Sequence, residues 1–301
     1  MPGTMHDDEA DIDEGLVGRL VAAQFPARAG LPVAKVRSAG TDNAVYRLGE
    51  DLAVRLPRVP DAPGRSPRSS GGRRTSRRAC RWRCRWAGAC LGEGFAMPWS
   101  VYRWIDGRDA CEEPLADPAV AAAALGGFVA ALRKRDATGG PPSWRGVPLS
   151  TRDEEVRAAV RDLGADGTPD AAAATAAWEE ALRAPRWEGR PVWLHGDLRP
   201  GNLLGRGGRL SAVIDFGGVG VGDPDCDTMA AWTVLPAGTR EPFREAVGVD
   251  DATWARGRGW ALAFGLTTYH HYRGARNPVL AEVALRAVRE ALSDDARALT
   301  A

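Results

Sequence analysis

Four residues between Trp193 and Asp227, namely His195, Asp197, Asn202 and Asp215, have the types and spacing to carry phosphoryl chemistry. Asp197 offers a carboxylate that can take a proton, while Asn202 and Asp215 offer the hard oxygen donors that magnesium prefers. Phosphoryl transfer needs both, a base toward the attacking hydroxyl and a cation against the phosphates. The surrounding WLHGDLRPGNLLGRGGRLSAVIDFGGVGVGDPDCD reads as strand, polar loop, strand, turn, strand, loop. Val192 to Leu194 is apolar, Gly196 and Pro200-Gly201 break the chain, and Leu203-Leu204 and Ala212 to Ile214 resume apolar runs around Gly205 to Gly208. That order puts Asp197 and Asn202 on one tight loop and Asp215 at a strand end, so their oxygens can converge on one cation.

The order H-x-D-L-x-x-x-N followed by I-D-F-G resembles the catalytic and metal-binding loops of kinases. More closely, H-G-D-L-R-P-G-N with I-D-F-G-G-x-G-x-G-D-P-x-x-D is similar to the aminoglycoside phosphotransferase family, protein-kinase-like enzymes that phosphorylate antibiotics and other small molecules. Gly196 in place of a kinase's arginine, and Gly217-Gly218 in place of a long activation loop, favour the small-molecule branch. The resemblance implies an α+β, two-lobed protein-kinase-like fold with a small antiparallel-sheet N-lobe and a mainly helical C-lobe. It implies ATP and Mg2+ as cofactors, Asp197 as base, Asn202 and Asp215 as metal ligands, and a small-molecule hydroxyl as acceptor, with an aminoglycoside as the acceptor class. In resembling families the histidine before the base braces the loop, the role expected of His195. Asp223 and Asp227, on either side of Pro224, read as helix-start residues before the apolar Met229 to Leu235, with Asp227 a loop brace and cap.

The elements that would position an ATP lie upstream. Leu16 to Phe25 has an amphipathic helical pattern, and Val33 to Arg37, Ala44 to Leu48 and Leu52 to Leu56 alternate as antiparallel strands. In the resembling fold Ser38 to Asn43 would be the phosphate-covering turn, with Gly40 and Asn43 at the nucleotide; a plain hairpin is the competing reading. Arg55 stands where such enzymes carry a lysine for the α- and β-phosphates, and its fork can also bind phosphate. Pro98 to Gly107 reads as a strand and turn, the hinge whose backbone, at Tyr102, would meet adenine. From Pro118 onward helical patterns dominate: 119–135, 152–162, 171–184, 227–234, 241–247, 253–272 and 278–292. The expected organisation is an acidic, mobile lead at 1–15, an N-lobe at 16–103 and a C-lobe at 104–301, with the resemblance covering about 16–292.

Residues 62–92 break the pattern, with nine arginines, no acidic residue, three cysteines, Trp82 and Trp86. The rest of the chain therefore carries −8 against an overall +1. The resembling fold should have a glutamate here to pair with the strand cation, and none lies between Asp61 and Glu93. A solvated basic loop, a polyanion-binding arm with tryptophans for stacking, and out-of-frame translation of GC-rich DNA all account for it. Two further function classes stay open with it, a nucleotide-binding but catalytically impaired relative and a basic-arm binding protein.

Composition bounds the rest. A chain of 301 residues with 44% hydrophobic content can bury a sizeable core, and a net charge of +1 argues against a whole-protein polyanion binder. The longest uncharged apolar run, Ala119 to Leu132, falls short of the roughly 20 residues a membrane span needs. With an acidic N-terminus and no basic or apolar leader, a cytoplasmic protein without membrane or specific nucleic-acid partners is expected. Five cysteines, at 80, 84, 90, 111 and 226, show neither CxxC spacing nor an even count, which argues against zinc and disulfides. Adjacent His270-His271 reads as a packing feature, and Asp225, Glu241, Glu245 and Glu282 as solvated surface or, jointly, as the lining of a polycation site.

Overall fold

The computed structural model describes residues 9–37, 40, 42–59, 94–164, 170–274 and 277–298. Contacts divide the chain at Asp106/Gly107 into two compact units. The basic segment at 62–92 and the turn residues Ser38, Ala39 and Thr41 lie outside the described residues.

The first unit is built on one four-stranded antiparallel sheet, β1 (Val33–Lys35), β2 (Asn43–Leu48), β3 (Leu52–Pro57) and β4 (Ser100–Arg103), in that order, with helix α1 (Glu14–Gln24) beside it. Alternation sorts the strands into two faces. Ala44, Tyr46, Leu48, Val54, Leu56 and Val101 are buried and join Leu16, Val17, Leu20 and Val21 of α1 in one core. The acidic lead differs from expectation over residues 9–13, because it has partners to bind. Glu9 pairs with Arg58, Ala10 N–H donates to Arg58 O at 2.7 Å, Ile12 is buried, and Asp13 caps α1 by accepting Leu16 N–H at 2.6 Å.

The second unit is mainly helical. In chain order it contains β5 (Arg108–Asp109), α2 (Pro118–Arg133), α3 (Asp153–Gly164), α4 (Ala171–Arg183), β6 (Val192–Leu194), β7 (Leu203–Arg206), β8 (Arg209–Val213), β9 (Gly220–Gly222), α5 (Asp225–Thr228), α6 (Ala230–Thr233), α7 (Arg240–Val247), α8 (Asp251–Tyr272) and α9 (Pro278–Ala298). The expected helix at 227–234 is two short helices, α5 and α6, α9 continues past the expected end at Leu292 to Ala298, and the others fall within about two residues of their sequence-based ranges. Trp178, Trp232, Phe243, Leu125, Leu163 and Leu266 fill a core between the helices. Two small antiparallel sheets lie on it, β5-β7-β8 and β6-β9. Gly207 and Gly208, with φ of 59° and 74°, make the two-residue turn joining β7 to β8, a conformation that glycine adopts without the penalty other residues incur. The architecture is thus α+β, a small antiparallel-sheet unit and a mainly helical one. Among the described residues no helix is long and apolar enough to cross a membrane.

Candidate functional site

The β6–β7 loop and the end of β8 converge because the hairpin forces them to. Leu203 pairs with Val213, and one step further Ile214 N–H donates to Asn202 O at 2.9 Å, so Asp215 follows directly on the residue that faces Asn202. Asn202 is buried, and its amide nitrogen donates to the backbone oxygen and to Oδ2 of Asp197, both at 2.8 Å. The amide is thereby oriented with its nitrogen spent on the loop. Its carbonyl oxygen and the Asp215 carboxylate are donors of the type that suits Mg2+, which takes one or two protein oxygens and fills its other positions with water and phosphate. Asp215 itself has φ 60°, the single non-glycine in the left-handed region among the described residues, and its Oδ1 accepts Gly217 N–H at 3.3 Å.

Asp197 is held on both carboxylate oxygens. Arg145 Nη1 lies 2.6 Å from Oδ1, and Arg199 Nε lies 3.1 Å from Oδ2. Burial pushes this carboxyl up, but the charges of Arg199 and Arg145 outweigh it and hold the group well below the usual carboxylate range. Burial likewise opposes the charge on Arg199, and the Asp197 carboxylate overcomes that and raises its pKa.

His195 braces the loop as the sequence reading expects. Its Nδ1 accepts Asp197 N–H at 3.2 Å, which leaves Nε2–H to donate to Ile214 O at 3.0 Å. One imidazole thus ties Asp197 to the strand end that carries Asp215. Its ring also meets Phe216 edge-on, with centroids 4.9 Å apart. Gly196 between them has φ 82°, and a Cβ there would stand 2.7 Å from Gly218 O, so the turn requires glycine.

Asp227 is completely buried and accepts the N–H groups of His195 at 2.7 Å and Gly196 at 2.8 Å. It braces the loop but caps nothing: it lies inside α5, while Asp223 Oδ1 accepts Asp225 N–H at 3.2 Å. Asp225 is neither solvated nor available to a polycation, since it is fully buried against the guanidinium of Arg256. Burial, the largest influence, pushes its pKa up to about 8, and Arg256 draws it down only in part. Glu241, Glu245 and Glu282 are exposed. His270 meets Asp162 at 3.1 Å, and His271 packs edge-on to Tyr272.

In the first unit, strand register places the expected nucleotide residues together. Val45 pairs with Arg55 and Arg55 with Ser100; Asn43 pairs with Pro57 and Ala53 with Tyr102. Asn43, Arg55 and Tyr102 therefore share the sheet face opposite the core, and each is half-buried. Gly40 lies just ahead of β2 in the chain.

Sequence reasoning missed Arg145. It comes from the segment between α2 and α3, where Pro141 to Gly146 runs beside β9: Val221 N–H donates to Pro141 O at 2.7 Å, Ser143 N–H to Val221 O at 2.9 Å and Asp223 N–H to Gly146 O at 3.1 Å. In an arginine-rich chain one more arginine carries no signal; only its neighbour Trp144, an exposed aromatic next to a cation, sets it apart.

The sequence profile of the phosphotransferase enzyme family matches residues 22–260. Among solved structures, wild-type aminoglycoside 2'-phosphotransferase-IIIa in its GDP complex is similar at 16% identity and a TM-score of 0.62, covering 94% of this chain and 100% of that one. Macrolide 2'-phosphotransferase MphH from Brachybacterium faecium is 23% identical with a TM-score of 0.52 over 92% and 97% of the two chains. Spectinomycin phosphotransferase APH(9)-Ia, complexed with ADP and spectinomycin, is 12% identical with a TM-score of 0.60 over 93% and 95%. No curated protein sequence matches the chain. At these identities the structural likeness speaks to the fold, which is kinase-like.

Proposed function

The chain belongs to the phosphotransferase enzyme family and takes an alcohol group as acceptor, and from that premise we propose that it moves the γ-phosphoryl group of ATP to a hydroxyl of a small molecule. The observation that carries this reading is the loop geometry, which sets one carboxylate, Asp197, beside an oxygen-donor pair, Asn202 and Asp215. Asp197 orients the acceptor hydroxyl and takes its proton as the bond to phosphorus forms. Asn202 and Asp215 hold Mg2+, which neutralises charge on the phosphate oxygens when bound. Gly40, Asn43, Arg55 and Tyr102 contact the nucleotide, Arg55 through its phosphates. Support for that last assignment is the shared sheet face of Asn43, Arg55 and Tyr102.

An aminoglycoside is the acceptor class the motif resemblance favours, and phosphorylation of such a compound would make this a resistance enzyme acting in the cytoplasm. The test is ATP consumption over a panel of hydroxyl-bearing small molecules, aminoglycosides and macrolides included. Asp197→Ala should cut kcat by roughly 100- to 10,000-fold, leaving a measurable residual rate, while Mg-ATP still binds, because the base acts on the acceptor alone. Asp215→Ala should weaken Mg-ATP binding as well. Turnover by Asp197→Ala at a wild-type kcat would refute the assignment of the base.

One sequence feature favours a second reading, a nucleotide-binding relative with impaired catalysis. Between Asp61 and Glu93, where the resembling fold carries a glutamate, the sequence holds no acidic residue. A thermal shift with Mg-ATP but no turnover on any acceptor would select it.

A further inference from the structure

We propose that Arg145 is a positioning residue for the Asp197 carboxylate and that Trp144 holds it in place. This rests on the reading of Asp197 as base. Arg145 Nη1 bridges two points of the loop, Asp197 Oδ1 at 2.6 Å and Gly196 O at 3.0 Å. Its guanidinium stacks on the indole of Trp144, with Cζ 4.2 Å from the ring centroid. Arg152 also lies against Trp144, with Cζ 5.4 Å from that ring centroid and 5.4 Å from that of Trp260. The result is a series of cation–ring contacts, Trp260, Arg152, Trp144, Arg145, that links buried Trp260 of α8 to Asp197.

Each contact has a physical reason. Cations favour the negative faces of indole rings, and stacking fixes a planar guanidinium without using its N–H groups, which stay available for Asp197 and Gly196. The backbone of Pro141 to Gly146 is in turn fastened to β9, so these contacts have a fixed base. Trp144 is 47% exposed, which a core role does not explain. A carboxylate gripped on Oδ1 by Arg145 and on Oδ2 by Asn202 and Arg199 cannot rotate, so it presents one fixed direction to an incoming hydroxyl.

The experiment is a double-mutant cycle in kcat between Arg145→Ala and Asp197→Asn, with Arg145→Lys and Trp144→Leu measured alongside. Arg145→Ala should lower kcat about 100-fold, the loss expected when a reacting group is misplaced by about 1 Å, with both KM values changing less than about threefold. Trp144→Leu should lose part of that, and Arg145→Lys, which keeps a charge but cannot stack as a plane, should fall between. Added guanidinium ion should restore turnover to Arg145→Ala and leave the double variant unchanged. In the Asp197→Asn background Arg145→Ala should cost nothing further, a result a merely structural role would not produce. Equal losses in both backgrounds, unchanged kcat in Arg145→Ala, or a rise in acceptor KM alone would overturn the proposal. If the wild type turns over no acceptor, the function reading fails and the positioning claim is judged by the same cycle in urea midpoints: additive shifts would remove it, and non-additive shifts would retain the grip on Asp197.

Discussion

Asp227 accepts the backbone N–H of His195 at 2.7 Å from a position 32 residues downstream, and both residues are completely buried. The second side-chain oxygen takes Gly196 N–H, so one side chain satisfies two consecutive amides that no strand partner reaches. Asp227→Ala should therefore destabilise the second unit by about 2–6 kcal/mol, the cost of leaving two buried donors unpaired at about 1–3 kcal/mol each. Asp227→Asn, which keeps one acceptor oxygen, should cost less. Urea denaturation followed by tryptophan fluorescence measures both, and a loss below about 1 kcal/mol in Asp227→Ala would refute the brace.

The imidazole of His195 is predicted to carry its proton on Nε2. Asp197 N–H points at Nδ1 and Ile214 O at Nε2, and only that tautomer serves both contacts. A long-range 15N–1H correlation at alkaline pH should show a protonated Nε2 and a bare Nδ1. A proton on Nδ1 would mean that the loop is not tied to β8 in this way.

Asp197 should remain ionised through the whole range in which enzymes are ordinarily assayed. Its folded pKa is depressed, by Arg199 and Arg145 against burial, so the ion pairs stabilise the protein above the unfolded carboxyl value of about 3.9. That contribution disappears only as pH falls through the folded value. A carboxyl 13C resonance assigned by comparison with Asp197→Asn should show no titration above about pH 4, and an inflection near about pH 6 would contradict the geometry.

In the first unit, Tyr46 donates its hydroxyl to Ile12 O at 2.6 Å. Burial, aided by Glu14, pushes its pKa up to about 12. A raised folded value means that the full contribution is present below the unfolded value of about 10 and is lost as pH rises from there through about 12. Tyr46→Phe should cost about 1 kcal/mol at neutral pH and remove that part of the alkaline loss. Denaturation midpoints at several alkaline pH values compare the two, and parallel curves would count against the buried phenol.

Much of the site was legible because its logic is local. The Gly207-Gly208 turn dictates the β7–β8 hairpin, the hairpin register brings Asn202 to Ile214, and Asp215 follows by one residue. Short spacing and turn chemistry encode such contacts within the segment that makes them, and apolar periodicity encodes α3, α4 and α7 in the same way. The face shared by Asn43, Arg55 and Tyr102 was half legible: alternation predicts which side each residue takes, whereas pairing of β3 with β4, across the basic segment, is a tertiary outcome. Arg145, 52 residues from Asp197, and Asp225, paired with an arginine 31 residues away, belong wholly to the tertiary structure. An arginine or an aspartate has the same propensity whether it faces water or a buried partner. Only the backbone register between Pro141–Gly146 and β9, and the packing of α5 on α8, decide which charges end up within hydrogen-bond reach of each other.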